Sequence, residues 1–221
     1  MQRAARVATL PPAPAVAIPL ALAIHLALAA SPARAEVDHY VLALSWSPTF
    51  CATEGRDEPL QCAPDRDLGF VVHGLWPNTA TDAPAYCRQR GPNPSRQDIE
   101  RVLDVMPSRS LARHQWRKHG TCSGLSPAAY FDTIRRARAA VAIPPALDVP
   151  TRAIELRPAV LSEAFRRVNP GLPEGGIYIR CRSGDLVDVR ICLSPDLRFQ
   201  VCPRAPEDAC RARMIDVPPP E

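Results

Sequence analysis

Proton-transfer chemistry is concentrated in two short stretches of this 221-residue chain. Phe70-Val71-Val72-His73-Gly74-Leu75-Trp76-Pro77 holds one histidine, and His114-Gln115-Trp116-Arg117-Lys118-His119-Gly120-Thr121-Cys122 holds two. Lys118 is the only lysine in the sequence, and two of the three tryptophans also fall in these stretches. An ammonium is a compact, strongly hydrated point charge, unlike the planar guanidinium used everywhere else. Imidazole exchanges protons near neutral pH, and two of them can act as base and acid in one displacement. A further imidazole and an ammonium would stabilise a developing polyanion such as a phosphorane. No serine or cysteine nucleophile is evident, which suits a substrate that carries its own. RNA does so in its 2′-hydroxyl; DNA does not.

The second stretch reads as a short helix stopped by Gly120. At about 100° per residue, His114, Gln115, Lys118 and His119 share one face about 140° wide, while Trp116 and Arg117 project elsewhere. The first stretch reads as a strand running into a tight turn at Gly74, leaving His73 near a sheet end. If the helix packs there, three imidazoles and one ammonium converge on one cleft. A zinc site is the rival reading. It is disfavoured because two histidines five apart, at the two edges of that wide face, are poorly placed beside the closer i,i+4 spacing of helical ligands, and a lysine between them repels a cation. His39, alone at a strand start, reads as structural.

The N-terminus has Arg3 and Arg6, an apolar stretch from about Val16 to Ala30, and Ala33-Arg34-Ala35. This is the pattern of a cleaved export signal covering residues 1–35, with a transmembrane anchor disfavoured by Pro19 and His25. Residues 36–221 are then one domain, and they are near neutral, because Arg3, Arg6 and Arg34 supply most of the net charge of +4. Bulk charge therefore gives no support for a nucleic-acid partner; only the local chemistry does. With 46% hydrophobic and 23% charged residues, the composition is globular, and nothing beyond residue 35 approaches a membrane span. All eight cysteines (51, 62, 87, 122, 181, 192, 202 and 210) lie beyond that point. An even number in an exported domain argues for four disulfides, with 105 possible pairings, and the lack of any C-x₂-C pair argues against structural zinc.

Strands are expected over Val37–Trp46 and Leu68–Leu75, and a meander over Gly176–Arg182, Leu186–Leu193 and Leu197–Cys202. Three helices stand between: one after Ser95, with Asp98 as capping partner, ending before Pro107; one capped by Ser126 with Pro127 at its first position; and one over Pro158–Val168. Strands first and last with helices between predict an α+β fold, a central antiparallel sheet with helices packed around it.

Phe70 to Asn78 and His114 to Cys122 closely resemble the two active-site segments of the ribonuclease T2 family. Leu44-Ser45-Trp46-Ser47-Pro48, followed by Cys51, resembles the opening strand of its bacterial members. The resemblance implies an exported, metal-independent and cofactor-free endoribonuclease that cleaves single-stranded RNA through a 2′,3′-cyclic phosphate. A monomer is expected, without DNA or, once the signal is removed, a membrane as partner. His119 would be the general base, His73 the general acid, His114 a phosphate ligand and Lys118 a stabiliser of the developing charge. Trp76 would stack a base and Asn78 contact its edge. Implied disulfides are Cys51–Cys62, Cys87–Cys122, Cys181–Cys210 and Cys192–Cys202. One departure stands out: the family usually has glutamate where this chain has Gln115. Without that carboxylate, His114 and His119 should hold their protons less tightly. A family-like RNA-binding protein without catalysis, or a metal-dependent phosphoesterase, are the competing readings.

Overall fold

A computed structural model describes residues 37–88, 91–204 and 207–220. The expected export signal, residues 1–35, lies outside them. The chain runs β1 (His39–Trp46), α1 (Ser47–Thr53), α2 (Pro59–Cys62), β2 (Phe70–Asn78), α3 (Arg96–Glu100), α4 (Arg109–Lys118), α5 (Pro127–Ala139), β3 (Ile154–Leu156), α6 (Pro158–Val168), β4 (Ile177–Arg182), β5 (Asp185–Leu193) and β6 (Ile215–Val217), with single 3₁₀ turns between. The strands form one six-stranded sheet in the order β2-β1-β5-β6-β3, with β4 also on β5. All pairings are antiparallel except a parallel contact between β5 and β6. The architecture is the α+β class expected.

Alternation explains the sheet. Leu42, Leu44 and Trp46 of β1 and Val189 and Ile191 of β5 are fully buried, so each strand turns every second residue into the core. Strand β2 breaks that rule. Val72 and Leu75 are both fully buried, although an odd separation should put them on opposite faces. The register resolves it: Leu75 faces Leu42 and Gly74 faces Ala43, but Leu44 faces Val72, so His73 is an extra residue, a β-bulge. The expected turn at Gly74 is therefore corrected; the strand continues to Asn78. A bulge re-aims a side chain without ending the strand.

The helix expected after Ser95 has its capping box, Ser95 Oγ accepting from the Asp98 N–H and Asp98 Oδ2 from the Ser95 N–H. It is regular only to Glu100 and then passes into turns, where the Val105 carbonyl accepts from the Val72 N–H at 2.8 Å. Residues 197–202 are not a strand. Leu197 takes a left-handed φ of 62°, and the segment joins the sheet through the isolated Leu193–Phe199 bridge, the Gln200 N–H donating to the Cys192 carbonyl, and the Cys192–Cys202 disulfide. Helix α5 buries Tyr130, Phe131 and Ile134, and Tyr130 OH donates to the Leu75 carbonyl at 2.9 Å, fastening the helix to β2 beside the site.

Candidate active site

Helix α4 carries the second histidine stretch. Ser108 Oγ caps it by accepting from the Leu111 N–H, and Ala112, Gln115 and Trp116 are its buried residues. His119 is its C-cap, its N–H donating to the Gln115 carbonyl at 2.9 Å. Gly120 lets the chain turn there: a Cβ would lie 2.4 Å from the Trp116 ring. The helix end is also held from outside. The Tyr86 N–H donates to the Lys118 carbonyl at 2.7 Å, and Cys87–Cys122 ties the two segments together. The other disulfides are Cys51–Cys62, Cys181–Cys210 and Cys192–Cys202.

The helix packs on β2 where the strand has no side chain. A Cβ on Gly74 would lie 2.2 Å from Gln115 Oε1 and 2.4 Å from Trp76 Nε1. Instead Trp76 Nε1 donates to Gln115 Oε1 at 2.9 Å. The same indole lies against His119, ring centroids 5.3 Å apart and planes at 29°, and meets His73 edge-on at 5.7 Å. One tryptophan thus touches imidazoles from both stretches. Asn78, buried at the strand end, donates from Nδ2 to the Trp76 carbonyl at 3.0 Å, so its expected contact with a base rests on the resemblance alone. His39 is buried at the start of β1, away from this group.

The electrostatics are those of crowded cations. Burial, then Lys118, His114 and His73, push His119 down to about 3, so it is a neutral base. Its Nδ1 is buried with no hydrogen-bond partner among the described residues. His114 is lowered by burial, then by Lys118 and Arg117. His73 is lowered by burial, but the Asp188 carboxylate opposes this and favours its proton. A cavity of about 890 Å³ opens beside His73 and His114 and is lined further out by Thr49, Phe50, Glu58 and Ser110. Among the described residues no group of three or more His, Cys, Asp and Glu side chains is placed to hold a metal ion.

Three neighbours escaped the sequence reading. Asp188 and Arg190 are charges inside the apolar run of β5, which was the available sign of them. Tyr86 is 63% exposed with a left-handed φ of 53°, its ring edge-on to His114 at 6.5 Å. Nothing in its local sequence announces that contact, which Cys87–Cys122 creates.

A sequence profile of the ribonuclease T2 family matches residues 37–202. The chain belongs to the ribonuclease T2 family. It is 38% identical over 165 residues to a ribonuclease of Aeromonas hydrophila, covering 73% of this chain and 74% of that one. To ribonuclease T2 of Sus scrofa it is 26% identical over 210 residues, covering 82% and 96%. Its fold is also that of an RNase-related protein from Calystegia sepium, with a TM-score of 0.66 at 22% identity over 84% of this chain and 99% of that one. The protein is accordingly a T2-type endoribonuclease, and the two histidine segments lie within the matched region.

Proposed function

We propose that the protein cleaves single-stranded RNA without a metal ion, using the internal 2′-hydroxyl as nucleophile. His119, neutral above about pH 3, takes the proton of the 2′-hydroxyl. The freed oxygen attacks the adjacent phosphorus, the bond to the 5′-oxygen breaks, and His73 passes its proton to that leaving oxygen. The products are a 2′,3′-cyclic phosphate and a 5′-hydroxyl. Water then opens the cycle with the two imidazoles in exchanged roles, leaving a 3′-phosphate. His114 binds the phosphate and Lys118 neutralises the charge that builds on its oxygens. Gln115 holds the Trp76 indole and so the geometry between the segments. Trp76 and Asn78 are the proposed base contacts, and the cavity beside His73 offers room for the leaving nucleoside.

The observation that carries this reading is the shared indole: Trp76 contacts both His73 and His119, so donor and acceptor of protons sit at one place. DNA lacks the nucleophile and survives. Residues 1–35 act as a removable export signal and residues 36–221 as a single catalytic domain, reaching a periplasm or the medium. Four disulfides fit such an oxidising compartment, and no helix among the described residues is long and apolar enough to cross a membrane. The protein works as a monomer.

Incubating purified protein with RNA in EDTA, and identifying the ends produced, tests the proposal. Cleavage in EDTA that yields a cyclic phosphate and then a 3′-phosphate supports it. A 5′-phosphate product, or loss of all cleavage in EDTA, refutes it, as does an active His119→Ala variant.

A further inference from the structure

Behind the imidazoles, four charged side chains close a small box. Asp188 of β5 is 1% exposed, and both its carboxylate oxygens accept: Oδ2 from Arg180 Nη1 at 2.6 Å and Oδ1 from Arg190 Nε at 3.0 Å. Asp208 lies in the C-terminal loop that Cys181–Cys210 pins to β4. It is 2.6 Å from Arg180 Nε and 3.6 Å from Arg190 Nη2. Asp188 is the buried member, while the Arg190, Arg180 and Asp208 side chains are 13%, 29% and 47% exposed; an apolar residue would often serve a sheet as well as a carboxylate taken out of water in this way. The box therefore calls for a reason other than stability.

That reason is what Arg190 reaches. In the sheet register Arg190 lies opposite Ala43, and Ala43 lies opposite Gly74. Two small residues keep this row low, and the guanidinium extends to the Trp76 ring, its Cζ 4.7 Å from the centroid. A cation over an indole face is held there electrostatically. His73, the extra residue of the bulge, lines one cavity with Arg180, Asp188 and Asp208 of this group. The charged and titratable neighbours acting on it are Asp188 and Arg190 from β5, Arg180 from β4 and His114 from α4, and of these Asp188 alone favours the imidazolium.

We propose that Asp188 and Arg190 form a positioning pair for the cleavage reaction: Arg190 fixes the Trp76 indole that lies against His119, while Asp188 anchors Arg190 and lines the same cavity wall as His73. The inference rests on His73 being the proton donor. Both act through the imidazoles and the indole between them.

The test pairs NMR titration of the His73 ring with the pH dependence of kcat, in the wild type, Asp188→Asn and Arg190→Gln. Asp188→Asn should lower the pH at which His73 loses its proton by about one pH unit. Arg190→Gln should raise it, because that guanidinium opposes the imidazolium. Opposite signs do not arise from a general loosening of the sheet. The alkaline limb of kcat should follow each shift, with KM little changed. Arg190→Lys, which keeps the charge and loses the planar fork, should leave the His73 titration in place and lower kcat about tenfold. If His73 titrates unchanged in folded Asp188→Asn and Arg190→Gln, the inference is overturned; where Asp188→Asn does not fold, Arg190→Gln decides. If the titrations move as stated and the kcat limb does not, the pair stands and His73 is not the proton donor.

Discussion

The Trp76 indole lies against the His119 imidazole, 5.3 Å between ring centroids, and presents its Nε1–H to Gln115 Oε1 at 2.9 Å. A strand residue and a helix cap are thereby locked together through a residue one helical turn before the cap. The contact joins the two histidine stretches, and its geometry governs what disturbs the site.

The proton balance sets the working pH. His119, the proposed base, is held down to about 3 and so is neutral above that value. His73 must carry a proton to act as acid, and burial holds it below its usual 6.5. We therefore expect kcat to be greatest in acid, between about 3 and 6.5, and to fall as rising pH strips His73. Gln115→Glu adds a carboxylate beside the α4 imidazoles and favours their charged forms, so the profile should move to higher pH. Comparing pH–rate profiles of the two proteins checks this, and identical profiles would sink the account of position 115.

Gly74→Ala should damage catalysis more than folding. Its new Cβ would meet Gln115 Oε1 at 2.2 Å and Trp76 Nε1 at 2.4 Å, so the hydrogen bond between them must open. Overpacking of this kind costs about 1–3 kcal/mol, whereas displaced imidazoles should lower kcat by about tenfold or more. Denaturant melts beside steady-state kinetics separate the two effects. Full activity in the variant would show that the close approach is dispensable.

Tyr86 holds an exposed ring at a left-handed φ. For a non-glycine residue such a conformation costs about 1–3 kcal/mol. Tyr86→Gly relieves the strain while widening the unfolded ensemble, so stability should stay within about 1 kcal/mol of the wild type. Removing a ring beside His114, the proposed phosphate ligand, should nevertheless raise KM for RNA about fivefold or more, the value of one weak stacking contact. Tyr86→Phe should keep the wild-type KM; an unchanged KM in the glycine variant would remove Tyr86 from the substrate path.

Two disulfides can be told apart by function. Cys87→Ala/Cys122→Ala opens a bridge of sequence separation 35 that holds the helix end. Cys51→Ala/Cys62→Ala opens one of separation 11 beside α1. Each should cost about 2–4 kcal/mol of stability, at the lower end for the shorter loop. Below its melting temperature, only the first should also lose kcat/KM, because Tyr86 and Lys118 are no longer held together. Equal losses of kcat/KM in both double variants would contradict the local role.

Residue type and spacing alone were enough to read the chemical inventory. Three imidazoles, one ammonium and one amide stood in two stretches, and the helical spacing put four of them on one face. Ser126-Pro127 marked the start of α5, because caps act within a few residues. Other features depended on partners distant in the chain. Whether the stretch around Gly74 turns or bulges hangs on Leu42 and Leu44, which must meet Leu75 and Val72 across the ladder. A slip of one residue there would exchange the faces of the strand, and local pattern carries no information about the partner's register. The short strands β3 and β6 exist through pairing with distant segments, β3 with β6 and β6 also with β5. The charges of Asp188 and Arg190 looked like interruptions of an apolar run until the sheet set them beside Trp76 and His73. Which side chains offer proton-transfer chemistry was written in the sequence; the contact of His73 and His119 with one indole was decided by strand pairing, close packing at Gly74 and a sulfur bridge, all of them long-range.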